Sequence, residues 1–253
     1  MKTSNKLFSA AILILLAAMI VYDFQLKAEY VTMKRLGLGQ YQKDHRFDNY
    51  EKADVKKFSS IDLRSANVVR ITIEYGEKEA VWVDKGGKDM VNVSQNGETL
   101  MVDLSDKGKE DIDFYKGSVI IISPKIKSIH TTAHTYSRKK NQNTRVSTRF
   151  QGGPVSITGF RQDSLQLIVA GWTNIDFNKN ELKHLNAIVG GETGNGELSI
   201  SSNNNVESMK LKVEGESTVE VLDSDVKKID HQIAEGAIVT FRGVVIHQLT
   251  KND

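Results

Sequence analysis

The chain has no cysteine among its 253 residues. That excludes disulfides, thiolate nucleophiles and cysteine-ligated zinc together. It also excludes a lipoprotein anchor, which needs a cysteine behind the export signal. Proline occurs only twice and aromatic residues make up 7%. Charge of one sign is scarce as well: the formal net charge is +2, too small to draw the whole molecule to nucleic acid or an anionic surface. A nucleic-acid partner is therefore not expected. What is present, 39% hydrophobic and 26% charged residues with 19 glycines, suits a folded core with many tight turns.

Long apolar runs are confined to one place, residues 7–22, preceded by Lys2 and Lys6. The run is longer than a usual signal-peptide core and approaches the roughly 20 residues of a membrane span. Phe24 and Leu26 extend it, and Leu26-Lys27-Ala28 is a poor cleavage site. The sequence predicts an uncleaved signal anchor, a transmembrane helix within residues 1–26, with a cleaved signal as the alternative. The remainder is expected to be exported to the periplasm or cell surface. Residues 27–57 are polar and unpatterned, and read as a linker.

The strongest signal is internal repetition across residues 165–248. Four copies begin at Leu165, Leu185, Met209 and Ile229, so their lengths are 20, 24, 20 and 20 residues. Each copy alternates apolar marks: Val169, Val189, Val213 and Ile233 form one set. Ile175/Phe177, Leu198/Ile200, Val219/Val221 and Val239/Phe241 form another, and Leu182, Val206, Val226 and Ile246 a third. Gly171, Gly191 and Gly215 separate the first two sets, with Glu235-Gly236 in the last copy. Alternation at period two, interrupted by glycine, is strand and turn chemistry. Fixed-period self-similarity predicts an all-β fold, a right-handed parallel β-helix-like solenoid of ~20-residue rungs behind the N-terminal transmembrane helix.

Residues 58–128 also alternate, for example at Ile61/Leu63, Ile71/Ile73 and Leu100/Val102/Leu104, with a hairpin signal at Asn96-Gly97. This N-terminal β half is either a degenerate continuation of the repeat or a set of hairpins. Residues 129–250 form the regular half. Its first rung carries an insertion at about 134–153 containing Arg138, Lys139, Lys140, Arg145 and Arg149.

Catalytic chemistry is not signalled. His130 and His134 stand four apart, which on a strand means roughly 13 Å, so both read as solvated surface residues and no metal site is expected. His231 and Glu235 depart from the repeat in its last copy, as in an end-capping rung. The Gly190-Gly191-Glu192-Thr193-Gly194-Asn195-Gly196-Glu197 turn lacks the Lys-Ser/Thr of a phosphate loop. No Ser-His-Asp set or environment-split carboxylate pair is visible, and no cofactor is implied. Contact with a ligand is expected at Trp172, just after a rung glycine, and at the basic positions 138, 139, 140, 145 and 149. A mobile solvated loop and a corner-packing Trp are the plainer alternatives.

The pattern Phe58-Ser59-Ser60-Ile61-Asp62-Leu63, with Val69-Arg70-Ile71, Val81-Trp82-Val83 and later Ser123-Pro124-Lys125-Ile126-Lys127-Ser128-Ile129, resembles the auto-transporter adhesin head domain of Gram-negative bacteria. That family is also called the head GIN domain. The resemblance spans about residues 58–243 and implies an exported β-helix-like domain without a catalytic motif. It points to a non-enzymatic, membrane-anchored envelope module for adhesion or binding, with an envelope glycan or another envelope protein as partner. A periplasmic docking scaffold is the alternative. A carbohydrate-active enzyme needs an outward row of acid and base, for which Asp176, Lys179 and Lys210 are the nearest residues.

Overall fold

A computed structural model describes residues 45–110, 117–134, 136–137, 146–147, 153–191, 195–201 and 203–243, together with positions 15, 18–19, 22–25 and 27. The chain divides into two compact units, Met1–Asn49 and Tyr50–Asp253. In the first, a 3-10 turn spans His45–Phe47. It is closed by a His45 Nδ1–Asp48 carboxylate contact of 2.5 Å, with the Arg46 guanidinium over the Phe47 ring.

Among its described residues the second unit contains twenty strands. The first half contributes β1 (Tyr50–Ala53), β2 (Ser60–Leu63), β3 (Arg70–Tyr75), β4 (Ala80–Asp84), β5 (Val91–Asn96), β6 (Thr99–Leu104), β7 (Ser118–Ser123) and β8 (Ser128–Thr131). A small ribbon follows, β9 (Tyr136–Ser137) with β10 (Val146–Ser147). The second half contributes β11 (Val155–Thr158), β12 (Arg161–Ala170), β13 (Asn174–Asn178), β14 (Glu181–Gly190), β15 (Glu197–Ile200) and β16 (Asn205–Val213). It ends with β17 (Thr218–Leu222), β18 (Asp225–Val226), β19 (Ile229–Ile233) and β20 (Ile238–Arg242).

These strands collect into two nine-stranded sheets. The first runs β1-β4-β7-β3-β11-β13-β15-β17-β20; the second runs β18-β16-β14-β12-β8-β2-β6-β5, with β19 also on β16. Both are mixed. Pairing is parallel from β11 and β12 onward, whereas β1–β4, β4–β7 and β5–β6 are antiparallel. The inner faces of both sheets feed one apolar cluster.

Two expectations are corrected here. The right-handed parallel β-helix-like solenoid is not what forms: no closed coil is found among the described residues, and the two large mixed sheets make a β-sandwich-like arrangement. The physical reason is that apolar columns specify which residues stack on which, and leave open how the chain closes between columns. The expected transmembrane helix is the second correction, because no helix among the described residues is long and apolar enough to cross a membrane. Most of residues 1–26 lie outside the described residues, and the described positions in that stretch are helical.

The columns themselves are ladder partners. Val169 pairs with Val189, Val189 with Val213 and Val213 with Ile233, while Ile175, Leu198, Val219 and Val239 stack on the opposite sheet. Those before the last copy are at or near complete burial, and each contributes about 1.5–3 kcal/mol relative to exposure; Ile233 and Val239, in the last copy, are covered from one side only. The Asn96-Gly97 signal is the β5–β6 hairpin, with Gly97 at φ 57°.

Corners are held by buried polar side chains. Asn180 and Asn204 are 0% and 3% exposed. The Asn180 amide donates to Ile157 O (3.1 Å) and its carbonyl accepts Phe160 N–H (3.0 Å). The Asn204 carbonyl in turn accepts Asn180 N–H (3.0 Å), and its amide donates to Phe177 O (2.8 Å). Ser224 continues the stack by donating to Ser201 O. At the other corner Thr131 and Thr173 hydroxyls meet at 2.6 Å, and the Ser217 hydroxyl accepts Gly196 N–H while donating to Glu214 O. These bonds satisfy backbone groups where the ladder is interrupted.

Candidate binding face

In a half-buried sheet every second residue points away from the core. On β8, β12, β14, β16 and β19 these outward positions line up through the ladder register. One row is Ser128–Gln166–Asn186–Lys210–Asp230 and the next is His130–Ile168–Ile188–Lys212–Gln232. A third, Ser164–His184–Ser208, flanks them. With strands about 4.8 Å apart, the first and third rows form rulers of regularly spaced polar groups, and the second is interrupted by Ile168 and Ile188.

A shallow cleft of about 370 Å³ lies along this surface, lined by Lys127, Gln166, His184, Asn186, Ser208 and Lys210 among others. A second cleft shares Asn186 and Lys210 with it and continues to Lys212, Asp230, His231 and Gln232. Together they make one trough crossing the strands. It is open and mixes polar side chains with apolar ones such as Leu165 and Ile188, unlike the enclosed, mostly apolar pockets that take small molecules. The side chains of Gln166, His184, Asn186, Ser208 and Lys210 make no hydrogen bond or ion pair to another described residue. Their donors and acceptors are open to a ligand. Around them, Lys127 approaches Glu98 at 3.5 Å and Lys212 pairs with Glu214 at 2.5 Å.

The neighbouring cleft, toward the strand starts, is different. Arg161 pairs with Glu181 (3.2 Å) and Lys183 with Asp163 (2.7 Å). The Gln162 amide is used up on Ile126 and Ser164 backbone groups. The Lys183 hydrogen bond holds the Asp163 carboxyl below its ordinary range. That surface satisfies itself.

The outer face of the first sheet carries carboxylates instead. Asp176 on β13 and Glu220 on β17 share one row through Ser199, and Glu197 on β15 stands in the adjacent row between Asn174 and Thr218. Burial pushes the Asp176 carboxyl up, and burial followed by the Glu220 charge does the same for Glu197. Glu197 accepts a hydrogen bond from the Asn174 amide at 2.9 Å. Among the described residues no group of three or more His, Asp or Glu side chains is placed to hold a metal ion.

Of the positions singled out in the sequence, Trp172 is described. It sits at a corner with φ 56° and 36% exposure, its N–H donating to Asn195 O (3.1 Å). It is not among the residues lining the trough. Arg138, Lys139, Lys140, Arg145 and Arg149 lie outside the described residues. Asp176 and Lys210 project from different sheets, on opposite outer faces, so the acid–base row of a polysaccharide-cleaving enzyme is not assembled from them. His130 is half-buried with Nδ1 at 3.3 Å from Asp62. His134 is half-buried too, its backbone exchanging hydrogen bonds with the Asn67 side chain, and burial lowers its imidazole pKa. The polar rows carry a weaker sequence signal than the inward apolar columns, although the same repeat offset, moved by one residue, contains them.

No family model matches the sequence, and no match to a curated protein is found. Solved structures with a similar chain path exist at low identity. A candidate adhesin from Bacteroides fragilis is 16% identical, with a TM-score of 0.44 over 76% of this chain and 94% of that one. A candidate adhesin from Parabacteroides merdae is 14% identical, with a TM-score of 0.40 over 77% and 95%. A candidate lipid-binding protein from Parabacteroides distasonis is 11% identical, with a TM-score of 0.35 over 77% and 94%. These names concern binding and not catalysis, and likeness at this level is too loose to carry an inference about this chain.

Proposed function

We propose that this chain is a non-enzymatic binding module of the cell envelope whose trough on the second sheet takes a linear, anionic glycan. The observation that carries this reading is the run of unpaired Gln166, Asn186, Ser208 and Lys210 side chains beside a cleft that is closed by its own ion pairs. A polymer laid across the strands meets amide, hydroxyl and ammonium groups at each strand spacing. Lys210 supplies the unpaired positive charge, with Lys127 and Lys212 beside it, each next to a carboxylate of its own. Export of the module rests on the apolar run at residues 7–22 behind Lys2 and Lys6.

Titration with an acidic polysaccharide (polygalacturonate) and a neutral one (dextran) tests it. Polygalacturonate should bind, weakening as salt rises, and dextran should bind far less. Lys210→Glu should weaken binding by roughly tenfold or more, the equivalent of about 1.4 kcal/mol, with an unchanged melting temperature. Equal binding of both polymers, or no effect of Lys210→Glu, would overturn the assignment.

A further inference from the structure

The two ends of the strand ladders are finished differently. At one end the first sheet closes on β1, a short edge carrying Glu51 and Lys52; Glu51 pairs with Lys88 at 2.9 Å and Lys52 lies over the Trp82 ring. Charged, self-satisfied edge strands discourage further pairing. At the other end the first sheet stops at β20, Ile238-Val239-Thr240-Phe241-Arg242, and among the described residues no strand pairs with its outer side. Ile238 is 61% exposed and Ile233 39%. Val239 and Phe241 pack against the core from one side only and are half-buried. β20 has no proline, and its sole charge is at its last residue.

The sequence of β20 is also suited to pairing with itself. In an antiparallel pair centred on Thr240, Val239 stands opposite Phe241 of the second copy, and Ile238 opposite Arg242 of the second copy. The inward Val–Phe pair then extends the core across the junction. The outward arginines, four residues from each other's partners, stay roughly 13 Å apart, so no like charges meet. Shifting the register by one would place core side chains on the solvent face.

We infer that β20 is a two-fold interface through which a second copy of this chain adds its own β20, joining the two first sheets edge to edge. The inference stands apart from the glycan trough, which lies on the other sheet. Antiparallel partners directly opposite each other have Cα atoms about 4.5–5.5 Å apart, within disulfide reach. Because the chain has no cysteine, an introduced one reports register cleanly.

The full chain is studied in a mild non-ionic detergent to keep residues 7–22 dispersed. The expected results are a dimer by sedimentation velocity, an oxidised covalent dimer for Thr240→Cys and none for Ile238→Cys. Ile238→Lys, facing Arg242 of the second copy, should give a monomer with an unchanged melting temperature. Ile238→Glu at the same site should stay dimeric. A monomeric wild-type chain at high micromolar concentration would overturn the inference. So would equal cross-linking of the two cysteine variants, or dimerisation of Ile238→Lys matching that of Ile238→Glu.

Discussion

Residues 155–242 and residues 50–131 use the same inward alternation and reach different solutions. In the later region every strand repeats its predecessor, and all ladders are parallel. In the earlier one the chain reverses at β5–β6 and β1–β4–β7 pair antiparallel. Parallel stacking needs corners of fixed geometry, and the buried Asn180, Asn204 and Ser224 provide them. Antiparallel pairing needs only a hairpin, and Asn96-Gly97 suffices. A repeated sequence thus marks a repeated corner as much as a repeated core.

The largest effect expected from breaking this contrast is at Val213. It is 1% exposed between Val189 and Ile233, so Val213→Asp places an unpaired carboxylate between two neighbouring strands. A loss of about 4 kcal/mol or more should appear as collapse of the cooperative β-sheet melting transition by circular dichroism. Next comes Asn204→Ala, which strands Asn180 N–H and Phe177 O inside the fold. It should cost about 1–3 kcal/mol in a urea titration, and Asn180→Ala should behave alike if the two are one ladder.

Smaller and opposite in sign is Trp172→Gly. A tryptophan at φ 56° bears a left-handed backbone cost of roughly 1–2 kcal/mol, part of which glycine's extra freedom when unfolded cancels. The variant should therefore melt at the same temperature or slightly higher. A clear fall would show that the exposed ring packs at the corner. The matching change in the earlier region, Gly97→Ala at φ 57° with open space around the new Cβ, should lose about 1 kcal/mol.

The smallest effects concern pH, where Asp176 in the later region and His134, just past the end of the earlier one, should respond in opposite directions. Burial raises the Asp176 carboxyl, so the folded state binds more protons than the unfolded one just above the ordinary carboxylate range. Stability contributed at this site falls as pH rises through that window. Asp176→Asn should flatten that slope and stabilise the protein at neutral pH. Burial lowers the His134 imidazole; its folded state binds fewer protons, so stability there is lost as pH falls through the ordinary histidine range. His134→Asn should remove that loss. Melting curves across the acidic range check both signs.

How much of this was legible follows from what each residue advertises. Val169, Val189, Val213 and Ile233 are apolar at one offset, and that offset is the ladder register. In the longer second copy the extra residues fall before Glu197 and near Asn203, which takes φ 73°. The closure was not legible, because Thr173, Asn180, Asn204 and Ser217 look like surface residues while being 0–3% exposed. Nothing in an Asn-rich stretch such as Ser201-Ser202-Asn203-Asn204-Asn205 tells which amide turns inward. The trough was readable in part, since Gln166, Asn186 and Lys210 share an offset, but their lack of partners is a property of the folded surface.

The long second copy has one more consequence. Between Val169 and Ile175, and again between Val213 and Val219, the chain spends six residues, whereas nine separate Val189 from Leu198. Both flanking ladders nonetheless stay in register, Val189 on Val213 and Leu198 on Val219. The extra residues between Gly191 and Asn195 therefore leave the register of both neighbouring ladders unchanged. That corner is the natural point at which lineages can lengthen the chain, and at which an engineer can graft a recognition loop onto the frame.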